Sequence, residues 1–197
     1  FFELVLGMKD VISLGVGEPD FVTPWHIREK AIYSLEQGYT TYTSNKGMIE
    51  LRRQIVHFLK NRYGLSYDAE DEALITVGVS EGIDLAMRAI LDPGDTILIP
   101  EPGYVSYHPM AALAGGRPVL LPTALEHGFK LTPKQVHEAC VSHKKVKAIL
   151  INYPCNPTGA SYTRSELNAL AKVFKQHDLI VISDEVYDEL SYDFDHT

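Results

Sequence analysis

Five short apolar runs, ALITV (73–77), TILIP (96–100), PVLLP (118–122), KAILIN (147–152) and LIVIS (179–183), are separated by segments with helical spacing. This alternation constrains the chain more than any other feature. The runs lack the half-polar alternation of a sheet with one wet face, so they read as short buried strands. Helical segments begin near Ser80, Tyr104, Thr132 and Thr163. The last is the best signed: Thr163 to Glu166 has the form of a capping box, and Leu167, Leu170, Ala171 and Phe174 form an apolar stripe behind it. Strand and helix in strict turn predict an α/β fold, a three-layer α/β/α arrangement around a mostly parallel sheet.

Upstream of the runs, residues 1–22 read as an irregular, partly extended arm. A helix is expected from a Thr23 cap with Pro24 at its first position to a stop at Gly38, with Ile27, Ala31 and Leu35 as a narrow stripe. A second helix is expected to run to about Tyr63, with Leu51, Ile55, Phe58 and Leu59 on one face and Gly64 as its stop. The domain reading is an N-terminal arm and first helix over 1–40, partly small-domain, and a larger α/β domain over 41–197. No internal repeat, low-complexity tract or linker interrupts it.

With 45% hydrophobic and 22% charged residues, the chain can bury a sizeable core. A net charge of −8 without any dense Lys/Arg block argues against a nucleic acid or an anionic membrane as partner. Cys140 and Cys155 are too few for a disulfide framework and lack metal-ligand spacing, so no metal is expected. Charges at Glu3, Lys9 and Asp10 break the apolar start, which is neither a signal-peptide core nor a membrane span.

In open α/β sheets ligands sit beyond the carboxyl ends of the strands, so the residues following each run are the candidates. Gly78-Val79-Ser80-Glu81-Gly82 can hold a phosphate on backbone N–H groups and the Ser80 hydroxyl at a helix N-terminus. The same residues make an ordinary cap and turn. Tyr104, after Pro102-Gly103, offers a stacking face or plain packing. Asn156, before Pro157, offers an amide donor or an ordinary turn. Asp184 closes LIVIS as a partly buried carboxylate without an Arg or Lys in its own segment. A cationic ligand atom would compensate it, and a helix cap is the alternative. Tyr187 can direct its hydroxyl into the same crevice. GVGEPD is no dinucleotide fingerprint, since the third glycine is missing and Pro19 stands where a helix should open; there is no P-loop either.

Six stretches, ISLGVGEPDF, YTSNKGMIELR, TVGVSEG, PGDTILIPEPGY, YPCNPTG and ISDEVY, occur in the order and spacing of the class I/II aminotransferases. The chain thus resembles the fold-type I enzymes that use pyridoxal 5′-phosphate. The resemblance implies that Asp184 pairs with the protonated pyridine nitrogen, Asn156 and Tyr187 hydrogen-bond the phenolic oxygen, and Tyr104 stacks on the ring. It further implies that Val79, through its backbone, and Ser80 hold the phosphate. Tyr42 would reach the phosphate of a neighbouring subunit in a homodimer, and Gly17 would contact the substrate carboxylate through its backbone. The implied activity is transfer of an amino group between an amino acid and a 2-oxo acid, in the cytoplasm. A C–S lyase and the ligand-sensing domain of a transcription regulator are the alternatives on the same scaffold, and a truncated product that only binds partners is a third. The family's Schiff-base lysine lies a few dozen residues past ISDEVY, and Lys46, in a polar loop, reads as solvated. The resemblance therefore implies the amino-terminal part of such an enzyme, cut before its catalytic residue and not competent by itself.

Overall fold

The run Val146–Asn152 is buried along most of its length because it has a strand on each side and helices on each face. The computed structural model describes residues 10–12, 15, 17 and 20–197 of the protein. Four strands, β1 (Thr96–Glu101), β2 (Arg117–Pro122), β3 (Val146–Asn152) and β4 (Ile180–Asp184), form one sheet in the order β2-β1-β3-β4. All three pairings are parallel, as the alternating pattern predicts, and Asn152 and Asp184 are register partners at the ends of β3 and β4.

Side chains alternate across a strand, and the core follows that rule. Ile97 and Ile99 of β1, with Ala148 and Leu150 of β3, face α3 (Gly78–Ile90) and α4 (Tyr107–Leu113), which supply Ile83, Met87, Tyr107 and Ala111. Leu98, Ile149 and Ile151 face the other way, against Val136 and Ala139 of α5 (Pro133–Ser142) and Leu170 and Phe174 of α6 (Arg164–Gln176). Each large aliphatic side chain buried in this way stabilises the fold by about 1.5–3 kcal/mol. Both helices of this second layer start where the sequence signals them. Thr132 Oγ1 accepts from the Gln135 N–H (3.2 Å), and the Thr163–Glu166 capping box is closed in both directions.

Two sequence expectations fail on the same side of the sheet. ALITV is not a strand. It runs as an irregular segment into α3, without a strand partner among the described residues; Ile75 donates its N–H to the Lys46 carbonyl (3.0 Å), and Leu74 and Val77 stay exposed. An apolar run becomes a strand only where a neighbour completes its ladder. LIVIS does pair, but β4 is an edge: Ile180 and Val181 are about 40% exposed. The expected burial of every strand therefore holds for β1 and β3 and not for β4 or most of β2. The helix expected near Tyr104 begins at Tyr107, after the turn that carries Tyr104.

The chain divides into two units, Phe1–Thr43 and Ser44–Thr197, where the sequence reading divides it after residue 40. In the first, α1 (Trp25–Glu36) starts one residue later than expected. Pro24 is at the N-cap position, its carbonyl accepting from Ile27 and Arg28, and Thr23 is outside the helix. The α1 stripe buries no residue. In the second unit, α2 (Ile49–Tyr63) ends at Gly64 as read, with Gly64 in the left-handed region. Of its expected apolar face, Leu51, Ile55 and Phe58 are exposed and Leu59 is half-buried, and the buried residue is Arg52. The guanidinium of Arg52 donates to the carbonyls of Gly47, Ala69 and Glu70, which ties α2 to the segment before α3.

Candidate active site

The carboxyl ends of β1, β3 and β4 and the amino end of α3 meet around a cavity of about 240 Å³. Val79, Ser80, Tyr104, Asn156, Asp184 and Tyr187, all named from the sequence, line it together. Ile83, Tyr107, Asn152 and Val186 complete the wall. Gly17 and Tyr42 belong to the first unit, where both are exposed.

Asp184, the last residue of β4, is 7% exposed. Its Oδ2 accepts from the Tyr107 hydroxyl at 2.6 Å, and its Oδ1 from the Val186 N–H at 3.2 Å. Among the described residues no ion pair reaches this carboxylate. Two neutral donors therefore hold a buried anion, and a cation placed in the cavity would gain fully from its charge. Tyr107 is 2% exposed, and burial pushes its phenol far above the ordinary range, with the Asp184 carboxylate adding to the shift. The hydroxyl is thus a fixed donor at any physiological pH.

The opposite wall is the start of α3. Gly78 has φ +80°, a conformation natural to glycine, and this lets the chain turn from the ALITV segment into the helix. The N–H of Val77 donates to the Glu81 carboxylate and that of Gly78 to the Thr76 carbonyl. Those of Val79 and Ser80, in the first turn, have no intrahelical acceptor by geometry. With the Ser80 hydroxyl they form a seat for an anion on the positive end of the helix. Tyr104 stands beside it, its hydroxyl 3.5 Å from Ser80 Oγ. Hydrogen bonds from Ser106 and Ser80 lower the Tyr104 pKa, and its ring packs edge-on to Tyr107 at 5.4 Å. A Cβ at Gly103 would lie 2.9 Å from the Pro100 carbonyl oxygen, so glycine there is what brings Tyr104 back over the strand ends.

The loop after β3 closes on itself. Cys155 donates its N–H to the Ala160 carbonyl (2.9 Å) and Gly159 its own to the Cys155 carbonyl (2.7 Å). Asn156 is carried at its rim, and Tyr187 follows β4 in the turn before a short 3-10 helix. Lys46, expected to be solvated, donates to the Glu70 carbonyl (2.8 Å) and Asp71 (3.2 Å). Among the described residues no group of three or more His, Cys, Asp or Glu is placed to hold a metal, and no helix is long and apolar enough to cross a membrane.

Two polar lining residues, Tyr107 and Asn152, were not singled out from the sequence. Asn152 carried a signal, since it is the polar last residue of the apolar run KAILIN. Tyr107 carried none, because a tyrosine opening a short helix has no pattern that marks it as the partner of a residue 77 positions away. The site as built suits a flat ligand with a cationic ring atom near Asp184 and an anionic group at the start of α3.

The family model for aminotransferase class I and II matches residues 9–197. The Bacillus subtilis (strain 168) protein YugH, itself named as an aminotransferase, is 52% identical over 197 residues, which are all of this chain and 50% of that one. An aspartate aminotransferase of Pyrococcus abyssi is 44% identical over 98% of this chain and 49% of its own length. Among solved structures, the aromatic aminotransferase from Pyrococcus horikoshii superposes with a TM-score of 0.90 at 42% identity, covering all of this chain and 52% of that one. The chain thus spans about half the length of the relatives it matches.

Proposed function

The chain belongs to the class I and II aminotransferases, and from that premise we propose that the whole protein transfers an amino group between an amino acid and a 2-oxo acid with pyridoxal 5′-phosphate as cofactor. The observation that carries this reading is the cavity itself, with a buried carboxylate lacking a cation at one wall and an anion seat at the other. The donor set fits the cofactor: an acceptor for a protonated ring nitrogen, a tyrosine face, hydroxyl and amide donors, and a helix start for the phosphate.

When bound, the cofactor supplies an electron-withdrawing ring against which an amino acid can lose its α-proton. In this reading Asp184 keeps a proton on the ring nitrogen, and Tyr107 keeps Asp184 in place. Tyr187 and Asn156 donate to the phenolic oxygen, Tyr104 covers the ring face, and Ser80 with the N–H groups of Val79 and Ser80 takes the phosphate. The lining side chains include no lysine, so their part is to bind and orient and not to move the α-proton. Gly17 is assigned to the substrate carboxylate.

We extend the reading to a homodimer, with Tyr42 directed to the phosphate of the other subunit. In support, Tyr42 is fully exposed and α2 shows Leu51, Ile55 and Phe58 to solvent. Light scattering on the protein tests the dimer, and a strictly monomeric species with full cofactor affinity would remove the role of Tyr42.

The test of the main reading is titration of the purified protein with pyridoxal phosphate, followed by absorbance, for the wild type and Asp184→Ala. It is paired with an assay of amino transfer from aspartate, alanine and aromatic donors to 2-oxoglutarate. Saturable binding that Asp184→Ala weakens at least tenfold supports the site. Equal binding by both proteins would overturn it.

A further inference from the structure

Asn152 is 8% exposed, and its carboxamide is used at both ends. Nδ2 donates to the Asp184 carbonyl at 2.9 Å, and Oδ1 accepts from the Asn156 N–H at 2.8 Å. The orientation of the amide follows from chemistry. A backbone carbonyl only accepts and a backbone N–H only donates, so the nitrogen must face Asp184 and the oxygen Asn156. Asp184 is also the register partner of Asn152 across the β3–β4 pair, and its carbonyl takes a second N–H from Tyr153 at 3.2 Å. The side chain therefore bridges two backbones that carry different lining groups of the cavity, the loop with Asn156 and the strand end with Asp184.

We propose that Asn152 is a positioning residue that sets Asn156 and Asp184 as one rigid unit, so that a ring nitrogen and a ring oxygen are met at a fixed separation. The inference rests on the pyridoxal phosphate reading of the cavity. Its physical basis is the chemistry required at this point. The loop around Asn156 is closed by its own Cys155–Ala160 and Cys155–Gly159 bonds, and the next residue, Pro157, has no N–H to offer. A bond from the sheet to the Asn156 N–H fixes the height of that loop over the cavity. Aspartate is the isostere but cannot donate when ionised, and leucine of similar volume makes neither bond. A short carboxamide donates and accepts at this reach at any pH, which a carboxyl does only while protonated. A rotation of the loop by one missing bond would move the Asn156 amide without touching the cofactor directly, and misplacement on the order of 1 Å is enough to matter at such sites.

The experiment uses the wild type, Asn152→Leu, Asn152→Asp, Asn156→Ala and the double variant Asn152→Leu/Asn156→Ala. The first readout is hydrogen exchange at the Asn156 amide without cofactor. Protection in the wild type and exchange at least tenfold faster in Asn152→Leu are expected; equal exchange would overturn the bridge. The second is affinity for pyridoxal phosphate. Roughly tenfold weakening by Asn152→Leu is expected, and in the double variant a loss smaller than the product of the single losses, because both act partly through one group. Multiplicative losses, or no loss with Asn152→Leu, would overturn the positioning role. Asn152→Asp covers the case in which leucine prevents folding. A protonated carboxyl can donate to the Asp184 carbonyl and accept from Asn156, so its affinity relative to wild type should recover as pH falls from 8 to 5. A flat ratio would count against the proposal. If the wild type shows no saturable binding, the cofactor reading fails and the positioning role with it, while the exchange data still report whether the bridge exists.

Discussion

The Tyr107 hydroxyl donates to Asp184 Oδ2 at 2.6 Å across 77 residues of sequence, and both side chains are almost fully buried. Tyr107 opens α4 and Asp184 ends β4, so the bond joins a covering helix to the strand end that carries the carboxylate. Removing the donor leaves a buried carboxylate oxygen without a partner, the costly half of a hydrogen bond. Tyr107→Phe keeps the ring and its packing against Tyr104. We predict a loss of about 1–3 kcal/mol in urea unfolding at pH 7, together with weaker pyridoxal phosphate binding. Unchanged unfolding would mean that Asp184 finds another donor.

The anion seat at α3 gives a prediction that separates phosphate from ring. Ser80 contributes a hydroxyl and an N–H to that seat, and only the hydroxyl is lost in Ser80→Ala. Affinity for pyridoxal phosphate should fall about tenfold, as for one hydrogen bond to a charged group. Affinity for pyridoxal, which lacks the phosphate, should stay the same. Parallel losses for the two ligands would place Ser80 away from the phosphate.

How far the site was legible in the sequence depends on the distance over which each signal acts. Asn156, Asp184 and Tyr187 were readable because each lies just past a run that becomes a strand, and a parallel sheet sends such ends to one side. Ser80 was readable from the glycine turn and helix start that carry it. The Thr163–Glu166 box was readable because both of its bonds close within four residues. Tyr107 was not, since its partner is fixed only by α4 lying over the sheet. ALITV misled for a related reason: its composition is that of a strand, but pairing requires a neighbour, which composition cannot supply. The α1 and α2 stripes show the same limit: spacing identifies an apolar face, but what covers that face is not written in the helix itself, and most of both stripes is exposed.

Buried tyrosines make stability depend on alkaline pH. Tyr162 accepts from the Leu131 N–H at 2.9 Å, and burial pushes its phenol up to about 12. An unfolded tyrosine loses its proton near pH 10. Below that value both states hold the proton and stability is unaffected. Between pH 10 and 12 only the unfolded state releases it, so stability falls by up to about 1.4 kcal/mol per pH unit for this group. Tyr107, raised for the same reason, adds to the slope. Urea midpoints measured from pH 8 to 11 should decline less steeply in Tyr162→Phe than in the wild type. Parallel declines would mean that Tyr162 ionises in the folded protein as freely as in the unfolded chain.

The start of α6 offers a matched test at acid pH. Glu166 Oε2 accepts from the Thr163 N–H at 2.7 Å, and Lys130 donates to Glu166 Oε1 at 2.9 Å. Burial opposes ionisation of Glu166, but the bonds from Thr163 and Lys130 outweigh it and hold the carboxyl below its ordinary range. A depressed carboxyl contributes stability that is present above the unfolded pKa and lost as pH falls through the folded one. Glu166→Gln keeps an acceptor for the Thr163 N–H but gives up the charge. It should therefore be less stable than the wild type at pH 7, and the gap should begin to narrow as pH falls below the ordinary glutamate value of about 4.3, closing once the folded wild-type carboxyl is protonated too. Thr163→Ala, which removes the other half of the box, should cost about 1 kcal/mol at pH 7 and less at acid pH, because the Thr163 hydroxyl also donates to the Glu166 carboxylate at 2.9 Å. A Glu166→Gln gap that did not narrow at all between pH 7 and pH 3 would show that its effect comes from packing and not from the charge.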